Sequence, residues 1–184
     1  MTTVAGLPDL RRWAVMVQKE LGERLFAAPR TKAYAAVSVL TQLACELEQA
    51  RPVARTAFRP RPRVDSAFVT FTRRPAGEDG SWRVGGEPLD RAGYRAVDGL
   101  VRLAFAQRRK QLGTSLAGAA AGQDGRADVP GGAGPAGVAP HALARADVAR
   151  ALEAAGAPVT ARPEELAPAQ WLTFARALGR LAPA

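Results

Sequence analysis

Phe58-Arg-Pro60-Arg-Pro62-Arg-Val64-Asp65-Ser66-Ala67-Phe68-Val69-Thr70-Phe71-Thr72 changes character half-way along. From Val64 to Thr72 it alternates, with Val69 and Phe71 on one side of an extended chain and Phe68 and Thr70 on the other. β-Branched and aromatic residues in period two predict a strand with one face against a core. The first half is unsuited to the interior of a sheet. Pro60 and Pro62 fix φ and remove two backbone donors, and they bias Arg59 and Arg61, which precede them, away from helix. The expectation is a stiff, extended loop leading into a strand, with Arg59, Arg61 and Arg63 held beside one aromatic, Phe58. On physics alone two readings stand. An exposed aromatic among arginines stacks an unpaired base while the phosphates are neutralised, or Phe58 packs into the core behind a proline-rich connection.

Upstream, Trp13-Ala-Val-Met-Val17 is a short apolar run that predicts a strand of a parallel sheet, buried on both faces. Leu21, Leu25 and Phe26 then recur at helical spacing from Lys19 to Ala28, until Pro29 stops the helix. After the loop Pro29 to Lys32, a second helix is predicted over Tyr34 to Leu47, with Val37, Leu40, Leu43 and Ala44 as its apolar positions. A strand within Glu46 to Ala54 is compatible with a poor pattern. Pro75 to Pro88, rich in glycine and charge, predicts a hinge, with a domain boundary near residue 80.

Beyond it, Tyr94, Val97, Leu100, Val101, Ala104 and Phe105 form a helical stripe that ends in Gln107-Arg108-Arg109-Lys110. A short helix carries Leu112 and Leu116. Residues 117–140 are rich in Gly, Ala and Pro and predict a mobile insertion. Helices follow at His141 to Ala155 and Pro168 to Leu181, the last with Trp171, Phe174 and Leu178 as core. The fold class expected is an α/β part over residues 1–80, followed by a small all-α domain over 81–184.

A chain of 184 residues, 47% hydrophobic, has room for one core, or for a small domain plus an appendage. It contains no run of eighteen apolar residues, and Met1 to Leu10 lacks a basic segment followed by an apolar one. Neither a membrane span nor a secretory signal is therefore expected, and the location expected is cytoplasmic. Cys45 is the single cysteine and His141 the single histidine, so an internal disulfide and a zinc cluster are both excluded. Cys45 is read as a small buried side chain.

The net charge is +9, and its 26 basic residues include only three lysines, Lys19, Lys32 and Lys110. Arginine excess of that kind also follows from a GC-rich genome, so position says more than sign. Arg51 to Arg74 holds seven arginines against one acid, Asp65, and Arg102 to Lys110 holds four basic residues and no acid. Clustered arginine suits a polyphosphate backbone; a solvated basic face is the alternative.

Gly132-Ala-Gly134-Pro-Ala-Gly137 has the letters of a dinucleotide-binding turn. It lacks the apolar strand before it, since Asp128-Val129-Pro130 precedes it, and it is not expected to hold a cofactor. His141 has no serine, cysteine or acid at a recognisable catalytic spacing.

Several segments resemble, in order, the C-terminal motifs of bacterial small-subunit rRNA adenine N6,N6-dimethyltransferases. They are Met16-Val-Gln-Lys-Glu20, Glu23-Arg24-Leu25, Ser38-Val39-Leu40, the run Ala57-Phe58-x-Pro60-x-Pro62-x-Val64-Asp65-Ser66-Ala67, and Ala104 to Leu112. Ala154-Ala155-Gly156, Arg162 to Leu166 and the last helix are similar to that family's closing segment. Macrolide-resistance rRNA methylases share the fold, but the Gln-Arg-Arg-Lys segment favours the housekeeping enzymes. The resemblance implies that Met16 to Arg74 supplies the last strands of a Rossmann-like methyltransferase sheet, and that the tail helps hold rRNA of the small ribosomal subunit. It implies that Phe58 packs on the flipped adenine, that Pro60 and Pro62 shape the loop, and that Arg59, Arg61, Arg63, Arg108, Arg109 and Lys110 engage RNA.

In that family S-adenosylmethionine is held by a glycine-rich turn after the first strand, and the target amine by an Asn/Asp-Leu-Pro-Tyr/Phe segment. This sequence has no asparagine, and its Leu7-Pro8 is followed by Asp9. The expectation is an RNA-binding form without its N-terminal donor-binding half, through loss or through a misassigned gene start, which binds no S-adenosylmethionine and transfers no methyl group alone. The alternatives are half of a split enzyme that needs a donor-binding partner chain, and a non-RNA interaction module. No metal and no membrane partner is expected.

Overall fold

A computed structural model describes residues 10–119 and 143–181. Gly132 to Gly137, His141 and nearly all of the 117–140 insertion lie outside them. The chain divides into two units, the first ending at Arg83 and the second beginning at Val84.

The first unit contains β1 (Arg12–Gln18), α1 (Lys19–Leu25), α2 (Ala36–Ala44), β2 (Cys45–Val53) and β3 (Ser66–Arg73). The sheet order is β1-β3-β2, with β3 antiparallel to both neighbours. β1 and β2 therefore run parallel, joined by a helical crossover, and the chain returns between them. The predicted alternation of β3 holds: Ala67, Val69 and Phe71 are buried, while Ser66, Phe68 and Thr70 are only half-buried. Val69 is fully buried, with Val39, Leu40 and Leu43 of α2 in the same core.

The reading of β1 as a parallel strand buried on both faces is corrected. Its partner is antiparallel, from Arg12↔Thr72 to Gln18↔Ser66, and exposure alternates along it, with Met16 52% exposed. Among the described residues β1 is an edge, and α1 and α2 lie on one face of the sheet only. Trp13 on that face stacks on Phe71 at 5.5 Å, and Phe26 leans on the same ring at 5.8 Å.

The second predicted helix ends early. Cys45 already has extended geometry (φ −138°, ψ 161°), and β2 follows, with a register shift between Leu47 and Gln49. A bulge puts two residues opposite one and breaks the period of two. That is why β2 could not be read cleanly. Cys45 itself is buried, and burial pushes its thiol up to about 11 against the opposing pull of Arg73 and Arg74; it is inert at neutral pH.

Helix α1 is fixed to the sheet by a close approach at Gly22, where a Cβ would stand 2.8 Å from Ala67 Cβ. Buried Ser38 ties the two helices: its hydroxyl donates to Arg24 O and accepts from Ala35 N at 2.9 Å. Gly22→Ala would gain ~1 kcal/mol of helix propensity, but it drives a methyl into β3. The expected net result is a loss of ~1–3 kcal/mol from overpacking; a gain in urea-denaturation midpoint would show that α1 stands further off the sheet.

Residues read as a hinge form a hairpin instead, β4 (Trp82–Val84) and β5 (Glu87–Leu89). Gly85 and Gly86 turn it with φ of 60° and 88°, the left-handed conformations that two-residue hairpin turns require. The second unit, which begins at Val84 within β4, is therefore helical with β5 at its start, and not all-α. Its helices are α3 (Arg91–Phe105), α4 (Leu112–Ala119), α5 (Arg145–Ala154) and α6 (Pro168–Ala177). Asp90 caps α3, accepting from Gly93 N at 2.7 Å. The predicted stripes form the core: Tyr94, Val97, Leu100, Val101 and Ala104 from α3, and Trp171 and Phe174 from α6. Trp171 meets Phe174 edge-on at 5.8 Å and Phe105 at 6.2 Å. Leu178, predicted with them, is only half-buried at the C-terminal end of α6.

Candidate nucleic-acid interface

β1 and β2 finish, and β3 begins, at the same end of the sheet, where Gln18, Ser66 and Val53 form the last rung. Carboxyl ends of neighbouring strands, at a point where connections diverge, are where α/β sheets bind ligands. Two segments emerge there. Gln18 passes directly into α1 at Lys19, and Val53 into the long β2–β3 connection that contains the arginine-proline sequence. Long ordered loops of this kind are disproportionately functional.

The connection opens with a single 3₁₀ turn, Arg55–Ala57, and then bends at Phe58 to Pro60 and again at Arg63 and Val64. The Arg59–Pro60 peptide is cis. Those two bends curve the loop, where the sequence predicts a stiff, extended one. Phe58 and Pro62 are half-buried, whereas Arg59, Pro60, Arg61 and Arg63 are exposed. No acid among the described residues pairs with Arg59, Arg61 or Arg63. Asp65 closes the base of the loop. Its Oδ1 accepts from Arg55 N at 3.0 Å, and its backbone carbonyl accepts from Lys19 N, also at 3.0 Å. Between loop and α1 lies an open cleft of about 430 Å³, with Lys19 and Glu23 on one side and Arg55, Arg63, Val64 and Asp65 on the other. Arg55, Lys19 and Asp65 were not singled out from sequence, because Asp65 is bonded to residues ten and forty-six positions away.

In the second unit, the predicted basic segment forms the turn that follows α3, closed by Lys110 N donating to Gln107 O at 2.8 Å. Its three cations do not behave alike. Arg109 and Lys110 are exposed, but Arg108 is half-buried and its Nε pairs with a Glu164 carboxylate oxygen in the 3₁₀ turn Pro163–Glu165. Arg108 therefore ties the end of α3 to that turn. Arg108→Ala is expected to cost about 1 kcal/mol of stability, a modest figure because the pair is one-third exposed. Arg109→Ala is expected to leave the urea midpoint unchanged while lowering the salt dependence of RNA binding. Equal effects of the two on stability would remove the distinction.

Among the described residues no cluster of three or more histidine, cysteine or acidic side chains could hold a metal, and no helix is long and apolar enough to cross a membrane. Asp79, whose carboxyl is held below its usual range by the backbone N–H and hydroxyl of Ser81, belongs to an exposed turn and not to this site.

The motif series can be set against known proteins. The family model described as ribosomal RNA adenine dimethylase matches residues 3–128. The chain belongs to that family.

Ribosomal RNA small subunit methyltransferase A of Kineococcus radiotolerans is 43% identical over 118 residues, which is 64% of this chain and 36% of that protein. Its counterpart in a Synechocystis species is 34% identical over 177 residues, 96% of this chain and 50% of that protein. This dimethylase-family chain thus spans about a third to a half of the length of the curated relatives it matches. Two solved structures share the fold. A dimethyladenosine transferase from Plasmodium falciparum gives a TM-score of 0.61 at 18% identity, covering 97% of this chain and 62% of its own. The 23S rRNA methyltransferase ErmE gives 0.55 at 24% identity, covering 96% and 58%.

Proposed function

We propose that this dimethylase-family chain is the RNA-engaging part of a small-subunit rRNA adenine N6,N6-dimethyltransferase, active in the cytoplasm. The observation that carries the reading is the β2–β3 loop, where Phe58 stands among Arg59, Arg61 and Arg63, all three exposed and without an acidic partner among the described residues, at the end of the sheet where β1 and β2 finish. An adenine amine is unreachable inside a stacked duplex, so the base must leave the stack. Phe58 offers the ring on which it rests, Pro60 and Pro62 shape the loop, and Arg59, Arg61 and Arg63 hold the neighbouring phosphates; Arg109 and Lys110 offer a separate basic turn in the second unit. Arg108 contributes through its tie to Glu164 as well as by its charge.

Methyl transfer in this family draws on S-adenosylmethionine, and the described residues do not fit that donor. β1 enters α1 through Gln18-Lys19, and β5 enters α3 through Asp90-Arg91, neither through a glycine turn. Donor binding is assigned to a separate half of the enzyme, whether encoded in the same polypeptide or in another. The outer edge of β1, which has no partner strand among the described residues, and the sheet face that presents Ala14 and Met16 support the reading that such a half docks here, since an open apolar edge is a template for a further strand. The chain is incubated with a small-subunit rRNA fragment and labelled S-adenosylmethionine, with and without a donor-binding half from a relative. Label is expected only in the mixture. Incorporation by the chain alone would overturn the assignment of donor binding, and incorporation by neither would remove the split-enzyme reading.

A further inference from the structure

We propose that Asp65 is a positioning residue for RNA, a clasp that holds the arginine loop closed and fixed against α1; the proposal rests on the RNA-binding reading above. Its side chain accepts from the backbone N–H of Arg55, ten residues earlier, so that everything between them, including Phe58, Arg59, Arg61 and Arg63, is one closed loop. Its backbone carbonyl accepts from Lys19 N, the first residue of α1. One residue thus sets both the width of the loop and its distance from the neighbouring turn.

The charge of Asp65 runs against its location. In a segment that attracts phosphate, a carboxylate lowers the local positive field. Its contribution to RNA binding therefore comes from its acceptor oxygen and not from its sign. A loop ordered beforehand loses less conformational entropy when a ligand arrives, so the clasp acts on affinity through preorganisation.

This separates two substitutions that a charge effect would make equal. Asp65→Asn removes the negative charge but keeps an oxygen at the same place; Asp65→Ala removes both. The probe is a single-stranded RNA of about twenty nucleotides containing adenines, with the full chain as protein. Asp65→Asn is expected to bind as tightly as the native chain or tighter. Asp65→Ala is expected to bind about three- to tenfold more weakly, the scale of one hydrogen bond, and to exchange the Arg55 amide hydrogen several-fold faster. Equal or tighter binding by Asp65→Ala than by Asp65→Asn overturns the proposal, as does unchanged exchange at Arg55.

A second pair approaches the same bond from the donor side and decides the matter if Asp65→Ala does not fold. Arg55→Ala and Arg55→Pro both lose the guanidinium, but only proline loses the N–H, at a first-turn position where its ring is tolerated and where Ala54 already has an extended conformation (φ −63°, ψ 141°). Arg55→Pro is expected to bind several-fold more weakly than Arg55→Ala; equality overturns the clasp. If the native chain binds no RNA, the functional reading fails and the positioning role with it, while exchange at Arg55 still reports whether the clasp exists.

Discussion

Phe58→Ala is expected to weaken binding to single-stranded RNA with an unpaired adenine by ~1–3 kcal/mol, the usual scale of base-on-aromatic stacking. The ring sits directly after the 3₁₀ turn, on extended backbone (φ −116°, ψ 148°), and is half-buried. Part of the ring is therefore packed on protein and part is open to solvent. Phe58→Trp keeps a ring and should retain affinity, whereas Phe58→Leu keeps apolar area without a π-face and should fall between wild type and alanine. The same series separates the two readings that sequence left standing. A core phenylalanine costs ~3–5 kcal/mol of stability when cut to alanine. A urea-denaturation loss of that size with RNA affinity unchanged would place Phe58 in the core and remove it from the interface.

Trp171→Ala is expected to destabilise the second unit by ~3–5 kcal/mol, a large share of the ~5–15 kcal/mol that holds a domain together. Trp171 is fully buried, with Phe174 and Phe105 against its rings, so truncation leaves a cavity that its neighbours cannot fill. Its indole N–H is itself buried without a hydrogen-bond partner among the described residues, and an orphaned donor costs ~1–3 kcal/mol. Trp171→Phe therefore removes a penalty along with part of the packing and should cost well under half as much as alanine. Calorimetric or urea melts of the two variants check this. Equal losses would mean that the N–H is satisfied in solution.

Both outcomes bear on what the sequence made legible. β3 was readable because Val69 and Phe71 alternate with Phe68 and Thr70 over a core on one side only, and the α6 stripe because Trp171 and Phe174 recur at one helical spacing. β2 was obscured by its bulge after Leu47, and β4–β5 by Gly85-Gly86, which as letters suit a linker as well as a hairpin turn. The buried reading of β1 went wrong for a different reason. Trp13 to Val17 is apolar at every position, so it carries no alternation from which one-sided cover could be inferred, and the helices cover only one face.

In the site, residue types and local order could be read, but not partners across the fold. The arginine-proline loop was identified as such, yet its curvature depends on where Asp65 reaches Arg55. Likewise, Arg108 was grouped with Arg109 and Lys110 by adjacency, and it is separated from them by Glu164, fifty-six residues on.

RNA binding through phosphate contacts on the arginine loop is expected to leave a signature in salt dependence. The most direct measurement is the affinity for single-stranded RNA across a range of salt, for the native chain and for an Arg59→Ala/Arg61→Ala/Arg63→Ala variant. Each neutralised phosphate contributes a slope of about −0.7 in log K against log salt. A steep native slope is expected, shallower by about 2 in the triple variant. An affinity that does not change between low and moderate salt, or a slope the triple variant leaves intact, would contradict those contacts.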